Sequence, residues 1–214
     1  MKKAIVIGAT GMVGTQLVQA LIEDKEYSEI LSLVRRPSGV TNPKLTEQII
    51  NFDAPDTWSG MVTGDVLFSA LGTTIAQAKT KDAQYKVDFT YQYTVAKTAA
   101  ANGVFRYVLV SSAGANAASK AFYIKMKGEL ENAVLSLPFE VRSILRPGIL
   151  AGNRIQNRPA EKIGIIIMTG LNNLGLLKRY KPIQATIVAK AMIMAAEAKQ
   201  SATYTLDEVF KLAQ

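Results

Sequence analysis

The sequence predicts an α/β fold in which helices cover both faces of a doubly wound parallel sheet, with a small C-terminal lobe beside it. Short apolar runs of strand length alternate along the chain with longer segments of helical periodicity. A glycine-rich turn joins the first strand to the first helix, and the alternation stops after Gly148. Strands that alternate with helices pair in parallel, because each helix crosses back over the sheet before the next strand.

The first half of the chain contains four predicted strands and one predicted helix. The strands are short and apolar, as buried parallel strands are, and comprise residues 4–7, 30–34, 48–52 and 66–71. The helix, residues 12–22, carries apolar side chains at helical spacing between Val13 and Ile22.

The second half continues the alternation. A long helix is predicted over residues 82–101, because Tyr85, Phe89 and Tyr93 recur near one face. Asn102-Gly103 ends it. A strand, a helix and a sixth strand follow, and they comprise residues 105–110, 122–135 and 140–145.

The pattern loosens beyond Gly148, although we expect residues 1–214 to form a single domain. Residues 1–148 make up the sheet core, residues 149–182 are a Gly/Asn-rich segment with one predicted helix, and residues 183–214 form C-terminal helices. The first of those is predicted over residues 187–198. Thr205-Leu-Asp-Glu208 has the pattern of a capping box that opens a final short helix.

Composition excludes several kinds of site. The chain has neither cysteine nor histidine, which rules out disulfides, thiolate zinc sites, imidazole bases and histidine-ligated metals, so we expect no metal. The net charge of +8 suits an anionic partner. Nucleic-acid binding is disfavoured, because the basic residues are scattered and no recognition motif accompanies them.

No targeting or membrane-spanning segment is expected. The apolar stretch that follows Met-Lys-Lys, residues 4–8, is too short for a signal-peptide core. The apolar segment 163–168 is far shorter than the roughly 20 residues that a membrane span needs. We therefore expect a cytoplasmic protein, and the oligomeric state stays open, a homo-oligomer included.

The glycine-rich turn, Gly8-Ala-Thr-Gly11-Met-Val-Gly14, follows a predicted strand and opens a predicted helix. Glycines permit a tight turn, close approach of a pyrophosphate and close packing of helix on strand. The N-terminus of the helix offers free N–H groups to phosphates. We therefore expect a dinucleotide cofactor, bound by Gly8, Thr10, Gly11, Met12, Val13 and Gly14. A simple strand–helix junction is the alternative.

The end of the second strand indicates which dinucleotide binds. NAD-binding folds place a carboxylate about 20 residues beyond the glycine turn, where it holds the ribose 2′-hydroxyl. Here Arg35 and Arg36 occupy that place, and guanidinium groups suit a 2′-phosphate. The pattern favours NADP over NAD, unless the two arginines are only a solvated strand end.

A Ser-Tyr-Lys set lies further along the chain. Tyr123 and Lys127 are one turn apart on a predicted helix, so their side chains share a face. A neighbouring ammonium favours the phenolate, which makes tyrosine an acid–base without histidine. Ser111 and Ser112 end the fifth strand, where a hydroxyl could bind a substrate carbonyl oxygen. An ordinary amphipathic helix would also produce this tyrosine–lysine spacing.

Six stretches carry a family resemblance, and they are Gly8-Ala-Thr-Gly-Met-Val-Gly14, Leu33-Val-Arg-Arg36, Leu71-Gly-Thr-Thr74, Val110-Ser-Ser-Ala-Gly114, Phe122-Tyr-Ile-Lys-Met-Lys-Gly-Glu-Leu130 and Leu145-Arg-Pro-Gly148. In this order they resemble the short-chain dehydrogenase/reductase superfamily, a Rossmann-type fold. The likeness is greatest to its small atypical group of Tat-interactive-protein-like and NAD(P)H-binding bacterial members. The chain departs from many extended members at Asp88, where those have a helical asparagine.

The resemblance implies a catalytic set of Ser111, Tyr123 and Lys127, with Ser112 as the alternative serine. It also implies cofactor contacts from these three residues and from Asp53 at the adenine, Leu71, Gly72, Thr73, Thr74, Arg146 and Pro147. Residues 149–182 would cover the substrate, and they are too few for sugar-nucleotide epimerase chemistry. The expected function is an NADP-dependent oxidoreductase acting on a small carbonyl or alcohol. A non-catalytic NAD(P)H sensor that docks a partner is the alternative.

Overall fold

The computed structural model describes residues 1–151 and 182–214. Its first half contains strands β1 (Lys2–Ile7), β2 (Tyr27–Val34), β3 (Leu45–Ile49) and β4 (Val66–Ser69), and helices α1 (Met12–Glu23), α2 (Ile75–Ala78) and α3 (Lys81–Tyr85). Helix α3 continues through a π-helical stretch, Lys86–Tyr91, into α4 (Gln92–Ala101). The remaining elements are β5 (Arg106–Val110), α5 (Phe122–Leu135), β6 (Val141–Arg146), β7 (Leu150–Ala151), β8 (Ile183–Gln184), α6 (Ala185–Ala196), β9 (Ala202–Thr205) and α7 (Asp207–Leu212).

Seven strands form one sheet in the order β3-β2-β1-β4-β5-β6-β9, and every neighbouring pair is parallel. The predicted doubly wound α/β sheet is therefore confirmed. The strand order reverses between β1 and β4, and ligands of open α/β sheets bind beside such a switch point, outside the carboxyl ends of the strands.

Helices cover both faces of the sheet, as predicted. On one face α1 and α6 pack together with α7, through a cluster that includes Leu17, Met192 and Val209. On the other face α4 and α5 supply buried residues such as Val95 and Leu130. The central strands are apolar on both sides because both of their faces are covered.

Strand β3 lies three residues earlier than the prediction of 48–52. It is an edge strand, hydrogen-bonded only to β2, and its side chains are exposed or half-buried. The buried residues that suggested a strand, Ile50 and Phe52, follow it and pack in the core near Trp58. An apolar run therefore located the core contact rather than the hydrogen-bonded segment.

The C-terminal part contains strands as well as helices, which the sequence did not indicate. Strand β9 pairs with β6 and becomes an edge of the main sheet, so residues 183–214 belong to the core fold. Strands β7 and β8 pair with each other in a separate two-stranded sheet. Residues 152–181, most of the predicted substrate-covering segment, lie outside the described residues, together with its predicted helix.

Candidate functional site

The glycine turn connects β1 to α1 at the carboxyl edge of the sheet. Gly8 has a φ of +84°, which favours glycine. A Cβ on Gly14 would lie 2.0 Å from the Gly8 carbonyl oxygen, so only glycine fits there. No side chain in the described part of the chain caps α1. Its first N–H groups have no intrahelical acceptor, and this backbone cradle fits a phosphate group.

The loop after β4 lies directly against this turn. A Cβ on Gly8 would lie 2.4 Å from the backbone of Ala70, so the predicted cofactor residues Leu71, Gly72, Thr73 and Thr74 begin beside it. Thr74 caps α2 through its side chain, which accepts a hydrogen bond from the Gln77 N–H. The structure thus brings two of the predicted cofactor-binding segments together at the switch point.

Tyr123 and Lys127 lie on successive turns of α5. The Lys127 ammonium is 5.8 Å from the centroid of the Tyr123 ring. Its side chain is almost completely buried, and Nζ lies 3.1 Å from Oδ1 of the equally buried Asp88. The predicted pairing of tyrosine and lysine on one helix face is present, and Asp88 of the π-helical stretch joins it.

The surroundings of Lys127 keep its side chain charged. Burial alone would lower the pKa of the Lys127 ammonium, but the neighbouring Tyr123 side chain and the carboxylates of Asp88 and Glu131 outweigh burial and raise the pKa above its ordinary value. A buried ammonium beside a tyrosine stabilises the phenolate over the phenol. The site therefore contains a fixed positive charge next to a candidate acid–base.

Ser111 is placed at the end of β5 as predicted, but its hydroxyl is occupied. It donates to Oε1 of Glu131 at 2.5 Å, and both residues are buried. Glu131 is also bound by the guanidinium of Arg146, with Nε 3.0 Å from Oε1. Ser112 is half-buried, and among the described residues its hydroxyl makes a single long contact, 3.4 Å to the Ala113 carbonyl oxygen.

The loop between β5 and α5 is held on both sides. Ala113 N–H donates to the Pro147 carbonyl oxygen at 3.0 Å, and Asn116 N–H donates to the Ile124 carbonyl oxygen at 3.1 Å. A Cβ on Gly128 would lie 2.2 Å from the backbone nitrogen of Ala117. This packing fixes the serines relative to Tyr123.

The other predicted cofactor residues, Arg35, Arg36 and Asp53, follow strands β2 and β3, away from β5 and β6. Arg35 and Arg36 are exposed directly after β2, and neither forms an ion pair with the residues that the structure describes. Asp53 contacts Lys86 Nζ at 2.8 Å and accepts from the Tyr91 hydroxyl at 3.0 Å. The Lys86 hydrogen bond holds the pKa of Asp53 below its usual range.

Sequence reasoning missed the role of two buried carboxylates. Asp88 was noted only as a departure from a family pattern, and Glu131 was not singled out. Glu131 follows Lys127 by one helical turn, so it shares the face that carries Tyr123. Gly128 gave a further signal, because glycine inside a helix often marks close approach of another backbone.

Within residues 1–151 and 182–214, none of the helices is both long and apolar enough to span a membrane. In the same ranges, no group of three or more acidic residues is placed to hold a metal ion.

Comparisons with known proteins agree with this geometry. A family model described as NAD(P)H-binding matches residues 8–162. Protein FMP52-1, mitochondrial, of Scheffersomyces stipitis is 35% identical over 200 residues, covering 91% of this chain and 88% of the relative. Protein FMP52, mitochondrial, of Candida albicans is 36% identical over 194 residues, covering 88% and 85%. These names contradict the prediction of a cytoplasmic protein, which is therefore wrong.

Solved structures share the fold at low sequence identity. A short-chain dehydrogenase/reductase superfamily protein from Agrobacterium tumefaciens with bound NAD has a TM-score of 0.73 and 16% identity, covering 95% of this chain and 77% of that one. UDP-glucose 4-epimerase of Thermotoga maritima has a TM-score of 0.68 and 14% identity, covering 99% and 81%. The chain belongs to the NAD(P)H-binding family, together with the FMP52 proteins that it resembles over most of its length.

Proposed function

We propose that this protein is an NADP-dependent oxidoreductase that interconverts a small carbonyl compound and its alcohol, with Tyr123 as acid–base. The observation that carries the proposal is the buried Lys127 ammonium, 5.8 Å from the centre of the Tyr123 ring. Burying a charge is costly unless it is paired. The chain places this one beside a tyrosine at the carboxyl edge of the sheet.

Each side chain of the site would have a separate role in the reaction. In reduction, the Tyr123 hydroxyl donates its proton to the oxygen of the substrate carbonyl as that oxygen gains negative charge. Lys127 stabilises the phenolate that remains. A nicotinamide cofactor, when bound, would supply the hydride to the carbonyl carbon or accept it in the reverse reaction. A serine hydroxyl orients the substrate oxygen by a hydrogen bond.

Ser112 is the better candidate for that hydroxyl. The Ser111 hydroxyl already donates to the buried carboxylate of Glu131 at 2.5 Å, and turning it to a substrate would cost that hydrogen bond. Ser112 follows it in the chain and is half-buried, with one long contact of its own. We therefore assign Ser111 to holding the strand end and Ser112 to the substrate.

NADP is proposed over NAD because of the charge at the end of β2. Arg35 and Arg36 are both exposed and follow the last residue of the strand. No carboxylate occupies this place in the sequence, and a guanidinium binds a phosphate through charge-assisted hydrogen bonds.

A non-catalytic NAD(P)H sensor is the second candidate, and one observation favours it. The serine that the family resemblance places in the catalytic set, Ser111, donates its hydroxyl to Glu131, which Arg146 also binds. If Ser112 does not replace it, the site binds a cofactor without completing an active centre.

The test compares wild type with Tyr123→Phe, Ser112→Ala and Ser111→Ala. Each protein is incubated with NADPH and a panel of small aldehydes and ketones while absorbance at the nicotinamide band is recorded. We expect Tyr123→Phe and Ser112→Ala to lose at least about a hundredfold in kcat, with NADPH affinity unchanged. Equal turnover by wild type and Tyr123→Phe would overturn the proposal, and tight NADPH binding without turnover of any substrate would favour the sensor.

A further inference from the structure

Asp88 has an unusual position for a charged residue. It lies in the π-helical stretch between α3 and α4 and is only 1% exposed. π-Helical turns are rare and occur frequently at functional sites. Both of its carboxylate oxygens are engaged by residues that the family resemblance places at the cofactor.

The two oxygens reach two different elements. Oδ1 lies 3.1 Å from the Lys127 ammonium on α5, and Oδ2 accepts the backbone N–H of Thr73 at 2.8 Å. Thr73 belongs to the loop after β4, which begins beside the glycine turn. One carboxylate therefore joins α5, which carries Tyr123 and Lys127, to the loop after β4, which is called the cofactor loop below.

Other polar groups hold Asp88 itself in place. Gln92 donates from Nε2 to the Asp88 carbonyl oxygen at 2.7 Å, and its own Oε1 accepts from the Ser69 hydroxyl at 2.7 Å. Gln92 and Ser69 are completely buried. The network anchors the π-helical stretch to the end of β4 without contacting Lys127 or Thr73.

We propose that Asp88 is a positioning residue that fixes the Lys127 ammonium and the Thr73 loop relative to each other, so that both are ready for the cofactor before it binds. The part that concerns Lys127 in catalysis rests on the proposed function. The part that concerns cofactor affinity rests only on membership of an NAD(P)H-binding family.

Asparagine cannot replace the aspartate at both contacts. Its single side-chain oxygen can accept from Thr73 or from Lys127, while its amide group would face a second donor at the other contact. Asp88→Asn therefore loses one contact and the negative charge, and Asp88→Ala loses both contacts. Ser143→Ala is the matched control, because it removes a buried side chain that donates to the Ala195 carbonyl oxygen at 2.9 Å and leaves both Asp88 contacts.

The first measurement is NADPH affinity, followed by nicotinamide fluorescence. We expect Asp88→Ala to raise the Kd about tenfold, since the loss of a hydrogen bond to a charged group is of this order, and Asp88→Asn to raise it less. The control Ser143→Ala should lower the unfolding midpoint but keep the wild-type Kd. A Kd for Asp88→Ala within twofold of wild type would overturn the role at the cofactor loop.

The second measurement reports the protonation of Lys127 through the pH dependence of stability and needs no enzymatic turnover. The groups facing its ammonium are Asp88, Glu131 and Tyr123, so the comparison is made in a Tyr123→Phe background, where only the carboxylates remain. With Asp88 present, its charge and its hydrogen bond to Nζ oppose the lowering of the Lys127 pKa by burial, so protonated Lys127 stabilises the fold up to a higher pH than it does without Asp88. Without the Asp88 charge, burial lowers the pKa, and the folded protein binds fewer protons than the unfolded chain as pH rises.

The change with pH of the stability difference between Asp88→Asn and its parent therefore tests whether Asp88 pairs with Lys127. The difference in urea midpoint between Asp88→Asn and its parent should narrow by at least about half between pH 7 and pH 10. Glu197→Gln, which breaks the exposed 2.6 Å pair with Lys2, should show a constant difference over this range. A constant difference for Asp88→Asn would overturn the ion-pair role, whereas absence of carbonyl turnover would count only against the proposed function.

Discussion

Three buried charged residues, Asp88, Lys127 and Glu131, determine the electrostatics of the candidate site. Each has a partner of opposite charge: Lys127 pairs with Asp88, and Glu131 pairs with Arg146. A buried pair often contributes little net stability, because desolvation offsets the attraction. Two such pairs beside one helix are therefore better explained by a requirement for fixed charge than by stability.

Gly11 and Gly14 should respond differently to alanine. A Cβ on Gly14 would lie 2.0 Å from the Gly8 carbonyl oxygen, whereas one on Gly11 would lie 3.1 Å from the same atom. We expect Gly11→Ala to fold, with the methyl group hindering the approach of a pyrophosphate and raising the NADPH Kd more than about tenfold. Gly14→Ala should instead destabilise the fold itself. Thermal unfolding and NADPH titration of both variants check this, and a wild-type Kd for Gly11→Ala would contradict it.

These residues also separate what could be predicted from what could not. The glycines were found because a turn constrains the backbone locally, and Tyr123 with Lys127 because helical spacing places them on one face. Asp88 and Glu131 resemble the polar face of any amphipathic helix. Only the tertiary packing of α4 and α5 shows that they are buried, and sequence spacing contains no information on that packing.

At the scale of elements, the sequence predicted buried elements more accurately than exposed ones. Helix α5 has the predicted bounds, Phe122–Leu135, because its apolar positions repeat against the core. The two edge strands were displaced or missed: β3 began earlier than predicted, and β9 was not predicted. Edge strands are half-exposed and paired on one side, so their sequences lack a continuous apolar run.

Of the capping box predicted at Thr205 and Glu208, the part in which the Glu208 side chain bonds back to Thr205 is present, and it supports the start of α7. The Glu208 carboxylate accepts the Thr205 backbone N–H at 2.7 Å and the Thr205 hydroxyl at 2.8 Å. These bonds hold the pKa of Glu208 below its usual range. We expect Glu208→Gln to lower the free energy of unfolding at pH 7 by about 1 kcal/mol.

The lowered pKa gives this prediction a pH dependence. A carboxylate whose folded pKa is depressed stabilises the fold above its unfolded pKa, and the contribution is lost as pH falls through the folded pKa. Urea unfolding of wild type and Glu208→Gln should therefore differ at pH 7 and converge well below pH 4. Asp207→Asn, an exposed neighbour on the same helix turn, is the control. A difference that persists in acid would show that the charge is not responsible.

The molecule as a whole gathers the candidate site residues at one edge of the sheet. The carboxyl ends of β1, β2, β4, β5 and β6 carry the glycine turn, the two arginines, the Thr73 loop, the serines and Arg146. These segments are far apart in the chain. A dinucleotide that contacts several of them at once would cross-link the sheet and stabilise the folded state by mass action.

Cofactor preference should therefore appear in global stability. At a concentration of 100 times its Kd, a ligand stabilises a fold by about 2.7 kcal/mol, and we expect NADPH to raise the unfolding temperature more than NADH at equal concentration. If Arg35 binds the 2′-phosphate, which NADH lacks, Arg35→Ala should weaken NADPH binding by roughly tenfold and leave NADH binding unaffected. Lys25→Ala removes the same charge from an exposed site beyond α1 and is the control. A larger shift with NADH, or an equal loss for both cofactors in Arg35→Ala, would contradict the assignment of NADP.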